Sequence, residues 1–460
     1  MIVSRGGSME TEVKMDTWRF FLPEVIEMLQ EDPSVIPEAL SDLHPADVGE
    51  LINNLPVELI PRFLGAFPTE VAADFFEYTS EPIRIEVIPL MDLATAARLL
   101  DAMEPDEQAE IVAELPEELQ QNLLRRLTPA NREEARQILQ YAENTAGRMM
   151  TTEYISVRPG NMVRDALQAV RVGLPTRESY NNVYVVDGNK LLGVLSIRDL
   201  LLADEHIVVD KILERQVISV LPELDQEQVS RLIARYDLLS IPVVDGEGRM
   251  LGVVTVDDVI DVLVEEGTED IQKLGAVQPF EYPYFQTGFW TIFRKRIFWL
   301  VLLFFTQFFT GTAMRHYSSA LENALSLVFF IPLIISSGGN AGSQSCTIIT
   351  RGLATGDINI RQTPLVSFRE ASMGLVMGLV LGLIGIGRAL LWDSGPNIAM
   401  VVGISLMCVV IAGTAIGAIL PMGLKKVGFD PAISSSPFIA SFVDICGILI
   451  YFNVAKMLLN

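Results

Sequence analysis

Apolar residues follow two regimes along this chain. Beyond Arg296 they gather into five long stretches, over roughly 297–314, 325–349, 373–391, 398–420 and 438–459. Each is long enough to cross a hydrocarbon core of ~30 Å, which takes ~20 residues. The pattern therefore predicts a five-helix α transmembrane domain. Upstream, from Trp18 to about Glu143, apolar positions recur with helical period, and beyond about 149 they fall into shorter, strand-like runs. The first residues, 1–17, carry no apolar signal-peptide core and read as a disordered start.

The second apolar stretch departs from a plain lipid-facing helix and reads as broken. Pro332 removes a helix hydrogen bond, and 336–345 is a polar, glycine-rich run containing Ser336, Gly338, Gly339, Asn340, Gly342, Ser343 and Ser345. Such backbone cannot face lipid at depth and is expected to be covered by protein or to line a wet cavity. A kinked helix packed on its neighbours is the alternative. Gly374, Gly378 and Gly382 in the third stretch, and Gly413 and Gly417 in the fourth, are spaced for close helix approach.

Charge sharpens the division. The chain carries a formal −24, yet from Gln286 onward 11 Lys and Arg face 6 Asp and Glu, so the remainder carries about −29. Nucleic acid and anionic lipid are poor partners for such a region, and cations are good ones. Arg294, Lys295, Arg296, Arg351, Arg361, Arg369, Lys425 and Lys426 flank one side of the spans, against Arg315, Arg388 and Lys456 on the other. The asymmetry puts the N-terminus in the cytoplasm. Cys346, Cys408 and Cys446 have no metal-ligand spacing, and His44, His206 and His316 are scattered. No nucleophile–base set or phosphate-cradling loop is present, so the chain does not read as an enzyme.

Two acids stand out in the membrane part. Asp444 lies inside the fifth stretch, ~10 Å from its cytoplasmic end by helical rise. A carboxylate there costs at least ~2.5 kcal/mol unless it meets water, a proton or a cation. Mg²⁺, which keeps much of its water and takes one or two carboxylates, suits it. Two chains about a twofold axis would bring two such aspartates together. Asp430, before Pro431, is expected at the cytoplasmic mouth.

Two soluble segments repeat. Val185–Leu200 matches Val243–Val259 at an offset of 58, then 59 after one insertion. Each copy reads strand, Asp-Gly turn, strand and capped helix. The pattern resembles a tandem pair of CBS domains over about 149–266. Farther upstream, the run from Ala46 to Pro56 resembles that from Asp106 to Pro116, which suggests a stack of short helices each ended by Leu-Pro. Between 257 and 270 stand seven acids (Asp257, Asp258, Asp261, Glu265, Glu266, Glu269 and Asp270) and no base. On a helix they crowd together at ~0.2–0.5 kcal/mol per like-charged pair. Bound divalent cations would reverse that repulsion, so the stretch reads as a cation sensor next to the membrane.

Together these features resemble the MgtE magnesium channel family over nearly the whole chain. The residues carrying the resemblance are Gly338-Gly339-Asn340-Ala341-Gly342-Ser343-Gln344, Thr350 through Asp357, and Asp430-Pro431 through Asp444 to Tyr451. The fold implied is multidomain: an all-α helical-repeat N domain (18–145), an α/β tandem CBS pair (146–266), a connecting or plug helix (267–296) and the five-helix transmembrane domain (297–460). The resemblance implies a homodimer in the cell (inner) membrane with its pore on the twofold axis, conducting Mg²⁺ inward under control of cytosolic Mg²⁺. It assigns metal contacts to Asp444 and Asp430, and to the sensor residues Asp258, Asp261, Glu266, Glu269, Asp270, Glu227, Ala234 (through its carbonyl), Asp237, Asp74, Asp106 and Glu110. Asn340, Ser343 and Ser436 are the expected pore-lining residues, two of them serine where some relatives carry asparagine. Relatives also bind ATP between the CBS domains. Arg198 and Asp199 match that site, whereas Asn181 and Leu238 stand where stacking aromatics are expected. Two further readings stay open: a proton- or Na⁺-coupled divalent-cation transporter, and a nucleotide-sensing membrane regulator.

Overall fold

In the computed structural model, residues 18–173, 179–280, 284, 287–317 and 325–459 are described, so the expected disordered start lies outside them. The chain forms two compact units, Met1–Leu263 and Val264–Asn460.

The first unit begins with a helical solenoid of unusual regularity. Helical turns start at Pro45, Val57, Thr69, Glu81, Leu93, Pro105, Glu117 and Pro129, a constant step of 12 residues. Two residues before each start stands a core-facing side chain; Leu55, Thr79, Met103, Leu115 and Leu127 are all buried there. Proline at or just before many of these starts sits where its missing N–H costs nothing. Every second repeat adds a cap reaching across the stack. Asn53 accepts the backbone N–H of Ser80 at 2.8 Å, Glu77 that of Glu104 at 2.9 Å, and Asp101 that of Thr128 at 2.9 Å. Each acceptor lies 27 residues before its donor and 24 after the previous acceptor, so one polar position per two helices satisfies an otherwise orphaned helix-start donor. The offset of 60 between the two similar sequence runs is five of these steps.

The CBS pair follows. Strands β1 (Tyr154–Val157), β2 (Ser179–Asp187) and β3 (Lys190–Ser196) form one sheet in that order, with β1–β2 parallel and β2–β3 antiparallel. Strands β4 (Ser240–Val244) and β5 (Met250–Thr255) form the antiparallel pair of the second copy. The copies meet through equivalent positions: Leu191 N–H donates to the Gly248 carbonyl at 3.0 Å and Met250 N–H to that of Asn189 at 2.8 Å. Buried Tyr184 and Ser240 share a hydroxyl hydrogen bond of 2.8 Å. The helix after β5, Val256–Leu274, continues without a break through residue 266, where the sequence divides CBS from connecting segment.

Among the described residues, the second unit holds five helices long and apolar enough to cross a membrane: Phe289–His316, Ser326–Ala354, Ile360–Leu391, Pro396–Val427 and Ser436–Leu459. One expectation is corrected. The second span is not irregular at its glycine run but a continuous helix over Ile331–Ala354, with Pro332 in its first turn. The glycines are there for packing. A Cβ on Gly413 would come 2.5 Å from the Gly338 carbonyl oxygen, and one on Gly417 would overlap that of Gly342. The third span uses the same device, since Cβ atoms on Gly378 and Gly382 would stand 2.8 and 2.7 Å from the backbone oxygens of Met407 and Gly403. Polar backbone on this run is satisfied within its own helix, so no cavity is needed to shelter it.

Candidate functional site

In the membrane unit, the packed glycine face of the second span leaves its opposite face polar. Asn340 is exposed there and donates to Ser336 Oγ at 3.4 Å. Ser343 Oγ donates to the Ser436 carbonyl at 3.1 Å, so two of the expected pore-lining residues meet across spans two and five. Asp444 stands half-buried on the fifth span. A Cβ on Gly339 would lie 3.6 Å from its Oδ1, ordinary contact distance, so the second span passes directly alongside the carboxylate. Gln307 of the first span donates its amide to Asp444 Oδ2 at 3.3 Å. The sequence reading passed over Gln307, although an amide within a run of phenylalanines is itself a signal. It also passed over Glu370, which accepts a 2.6 Å hydrogen bond from buried Ser345. The third span starts at Ile360, earlier than its hydropathy suggests, and so brings this carboxylate into the helix bundle.

Asp430 is the side-chain cap of the short turn Pro431–Ile433, with Oδ1 accepting from Ala432 N–H at 2.8 Å. Its Oδ2 is paired with Lys273 at 2.8 Å, and Lys273 also contacts Glu269 at 2.5 Å. Burial works against the Lys273 ammonium, but its bonds to Asp430 and Glu269 outweigh that and hold its pKa above the ordinary lysine value. Glu266 and Asp270 lie half-buried on the same helix.

In the first unit a buried guanidinium organises the acids. Arg84, 6% exposed in its side chain, pairs with Glu107 and, at 2.7 Å, with Glu110. Burial lowers the affinity of Arg84 for its proton, but Glu107 and Glu110 more than restore it. Burial pushes the Glu107 carboxyl upward, Arg84 pulls it back, and Glu110 and Asp261 oppose that pull. Asp258 is pushed up to about 7, by burial first and then by Asp257 and Glu107, against a 2.5 Å hydrogen bond from Thr255 Oγ1. Burial and Asp257 raise Asp261, and Arg84 lowers it. Glu77 is pushed up to about 7, chiefly by burial, and burial alone raises Asp74. Asp106 is buried on the helix that bears Glu107 and Glu110. Asp258, Asp261, Asp74, Asp106 and Glu110, which the sequence suggests as sensor residues, lie in this unit together with Arg84, Glu107 and Glu77, which no sequence signal singles out. Charge counting along one helix cannot show which distant base faces it.

The remaining expected ligands are more dispersed. Glu227 begins the helix Gln226–Tyr236 and is paired with Arg231, while exposed Ala234 and Asp237 lie at the helix's far end. Asp237 ends that helix in the left-handed conformation, φ 51°. Arg198 and Asp199 are exposed in the first turn of Ile197–Leu202, where Asp199 exchanges hydrogen bonds with Ser196 at 2.6 and 3.1 Å. Among the described residues, no group of three His, Cys, Asp or Glu side chains converges closely enough to hold a metal ion.

Known proteins place this arrangement. Residues 331–454 match the MgtE divalent cation transporter model, 43–144 the MgtE intracellular N domain, and 146–206 and 209–265 the CBS domain. The magnesium transporter MgtE of Thermus thermophilus is 38% identical over 439 residues, covering 94% of this chain and 97% of that one. The magnesium transporter MgtE of Bacillus subtilis is 32% identical over 422 residues, covering 92% and 93%. A solved structure described as the soluble part of a magnesium transporter is 30% identical, with a TM-score of 0.51, and covers 54% of this chain and 99% of its own. With relatives this similar along nearly its full length, the chain belongs to the MgtE family of divalent cation transporters.

Proposed function

We propose that this protein carries Mg²⁺ across the cell membrane as a homodimeric channel, with Asp444 as its intramembrane cation ligand. The observation that carries the reading is the set of polar groups on spans two and five, Asn340, Ser343, Ser436 and Asp444, with Gln307 supporting the carboxylate, inside helices rich in apolar residues and glycine. A hydrated Mg²⁺ ion needs few direct protein ligands and many hydrogen-bonding oxygens, which suits this set. The N-terminus lies in the cytoplasm, the division at about 145, 266 and 296 separates N domain, CBS pair, connecting segment and membrane domain, and lipid surrounds the spans.

Cytosolic Mg²⁺ regulates the flux. Glu107 raises the Asp258 carboxyl, Asp261 raises that of Glu107, and Asp257 raises both Asp258 and Asp261; a divalent cation held there would relieve that repulsion. Asp74, Asp106, Glu110, Glu227, the Ala234 carbonyl, Asp237, Glu266, Glu269 and Asp270 complete the sensor set. Adenine nucleotide would engage Arg198 and Asp199, and calorimetry with ATP tests that arm.

The experiment is Mg²⁺ uptake into liposomes holding the purified chain, with luminal Mg²⁺ set low or high. High Mg²⁺ on the cytoplasmic face should suppress uptake, and equal rates would end the regulatory reading. Asp444→Ala should abolish uptake or destroy ion preference, and an unaltered current would remove Asp444 from the pore. Glu370, a second carboxylate within the five-helix unit that accepts from buried Ser345, favours proton-coupled transport as the rival. Uptake driven by an imposed proton gradient, with the Mg²⁺ gradient clamped, would establish the rival instead.

A further inference from the structure

Both oxygens of Asp430 are already engaged. Oδ1 caps a backbone turn through Ala432, and Oδ2 is held by the Lys273 ammonium. Lys273 itself is fixed in place. It occupies the last turn of Val256–Leu274, where the helix dipole favours a cation, and Glu269 holds it one turn back. Beyond it the chain turns at Ala276, φ 56°. Phe280 N–H then bonds to Gln272 Oε1 at 2.7 Å, Gln278 N–H to the Lys295 carbonyl at 3.2 Å, and Lys295 Nζ to the Pro279 carbonyl at 2.5 Å. These bonds tie the helix end to the base of the first span.

Resting on the transport reading above, we propose that Lys273 is a specificity-determining residue: a tethered monovalent cation that occupies Asp430 and that only a divalent ion displaces. A tethered group competes at the effective concentration its tether sets, on the order of millimolar or more. Na⁺ or K⁺ offers Asp430 the same single charge the ammonium already supplies, without the hydrogen bond. A divalent ion at the same distance doubles the Coulomb attraction and can in addition engage Glu269. Lys273 thereby filters by valence at the cytoplasmic mouth while leaving Asp444 to bind the ion within the membrane.

The test measures the ratio of K⁺ to Mg²⁺ conductance for the full chain in planar bilayers. Lys273→Met should raise that ratio about fivefold, the low end of ordinary site-to-site coupling because both side chains keep some exposure. Lys273→Arg should retain the original ratio. In an Asp430→Asn background, Lys273→Met should add nothing. If Lys273→Met does not fold, Lys273→Cys read before and after aminoethylation should show the high ratio and then its reversal. An unchanged ratio with Mg²⁺ current intact overturns this inference alone, as does an equal effect in the Asp430→Asn background. Absence of Mg²⁺ current from the unaltered chain overturns the transport reading and this inference with it.

Discussion

Glu77 offers a sharp test of how the solenoid is held together. Its carboxylate takes the cap position that Asn53 and Asp101 fill in the neighbouring repeats, and it is pushed up to about 7, from an ordinary 4.5. Burial is the main cause, and Glu107 and Asp74 add to it against the Glu104 N–H and Arg84. A folded-state pKa above the unfolded one contributes stability that is complete below the unfolded value and is lost as pH rises through the folded value. With 4.5 and about 7, that contribution is about 1.4 kcal/mol at pH 6 and under about 0.1 kcal/mol at pH 8. The side chain keeps some solvent contact, so about 1 kcal/mol is the realistic difference. Glu77→Gln keeps the acceptor oxygen, as Asn53 already does with an amide, and removes the titration. Urea unfolding of the soluble region ending at Leu263, with divalent cations chelated, should show the unaltered protein losing about 1 kcal/mol relative to Glu77→Gln between pH 6 and pH 8. Parallel pH profiles would refute the assignment of that titration to Glu77.

Two further outcomes follow from packing and charge. Gly417→Val should destabilise the membrane unit by at least about 1–3 kcal/mol, because a Cβ there overlaps backbone rather than a movable side chain; thermal aggregation in detergent reads this, with Gly423→Val, which has open space, as the silent control. Arg84→Met should cost about 2–3 kcal/mol, below the figure for a fully buried pair because Glu110 is 45% exposed. Mg²⁺ should restore more of the melting temperature in Arg84→Met than in the unaltered protein; equal Mg²⁺ shifts would show that the guanidinium does not compete with cations for these acids.

Much of this protein is legible in its sequence because its two solvents impose different patterns. Lipid demands about twenty apolar residues per crossing, so the five spans show as composition, and Asp444 shows because a charge inside such a stretch has no cheap explanation. The CBS copies show through their turn residues, which local backbone geometry dictates. The 12-residue step of the solenoid was also present in the spacing of Leu55, Met103, Leu115 and Leu127, and it can be read without any structure. Tertiary structure alone decided the rest. From sequence, Gly338 and Gly342 favour covered or cavity-lining backbone over a packed helix; the fourth span's glycines lying against them decide for helix contact. Arg84 joins Glu107 across 23 residues, and Lys273 joins Asp430 across 157. Local propensity carries no information about such pairs, because Coulomb attraction depends on distance in space and not along the chain. The sequence determined that an acidic region precedes a membrane domain with an aspartate inside its last span; only the folded chain decided which bases stand guard over which acids.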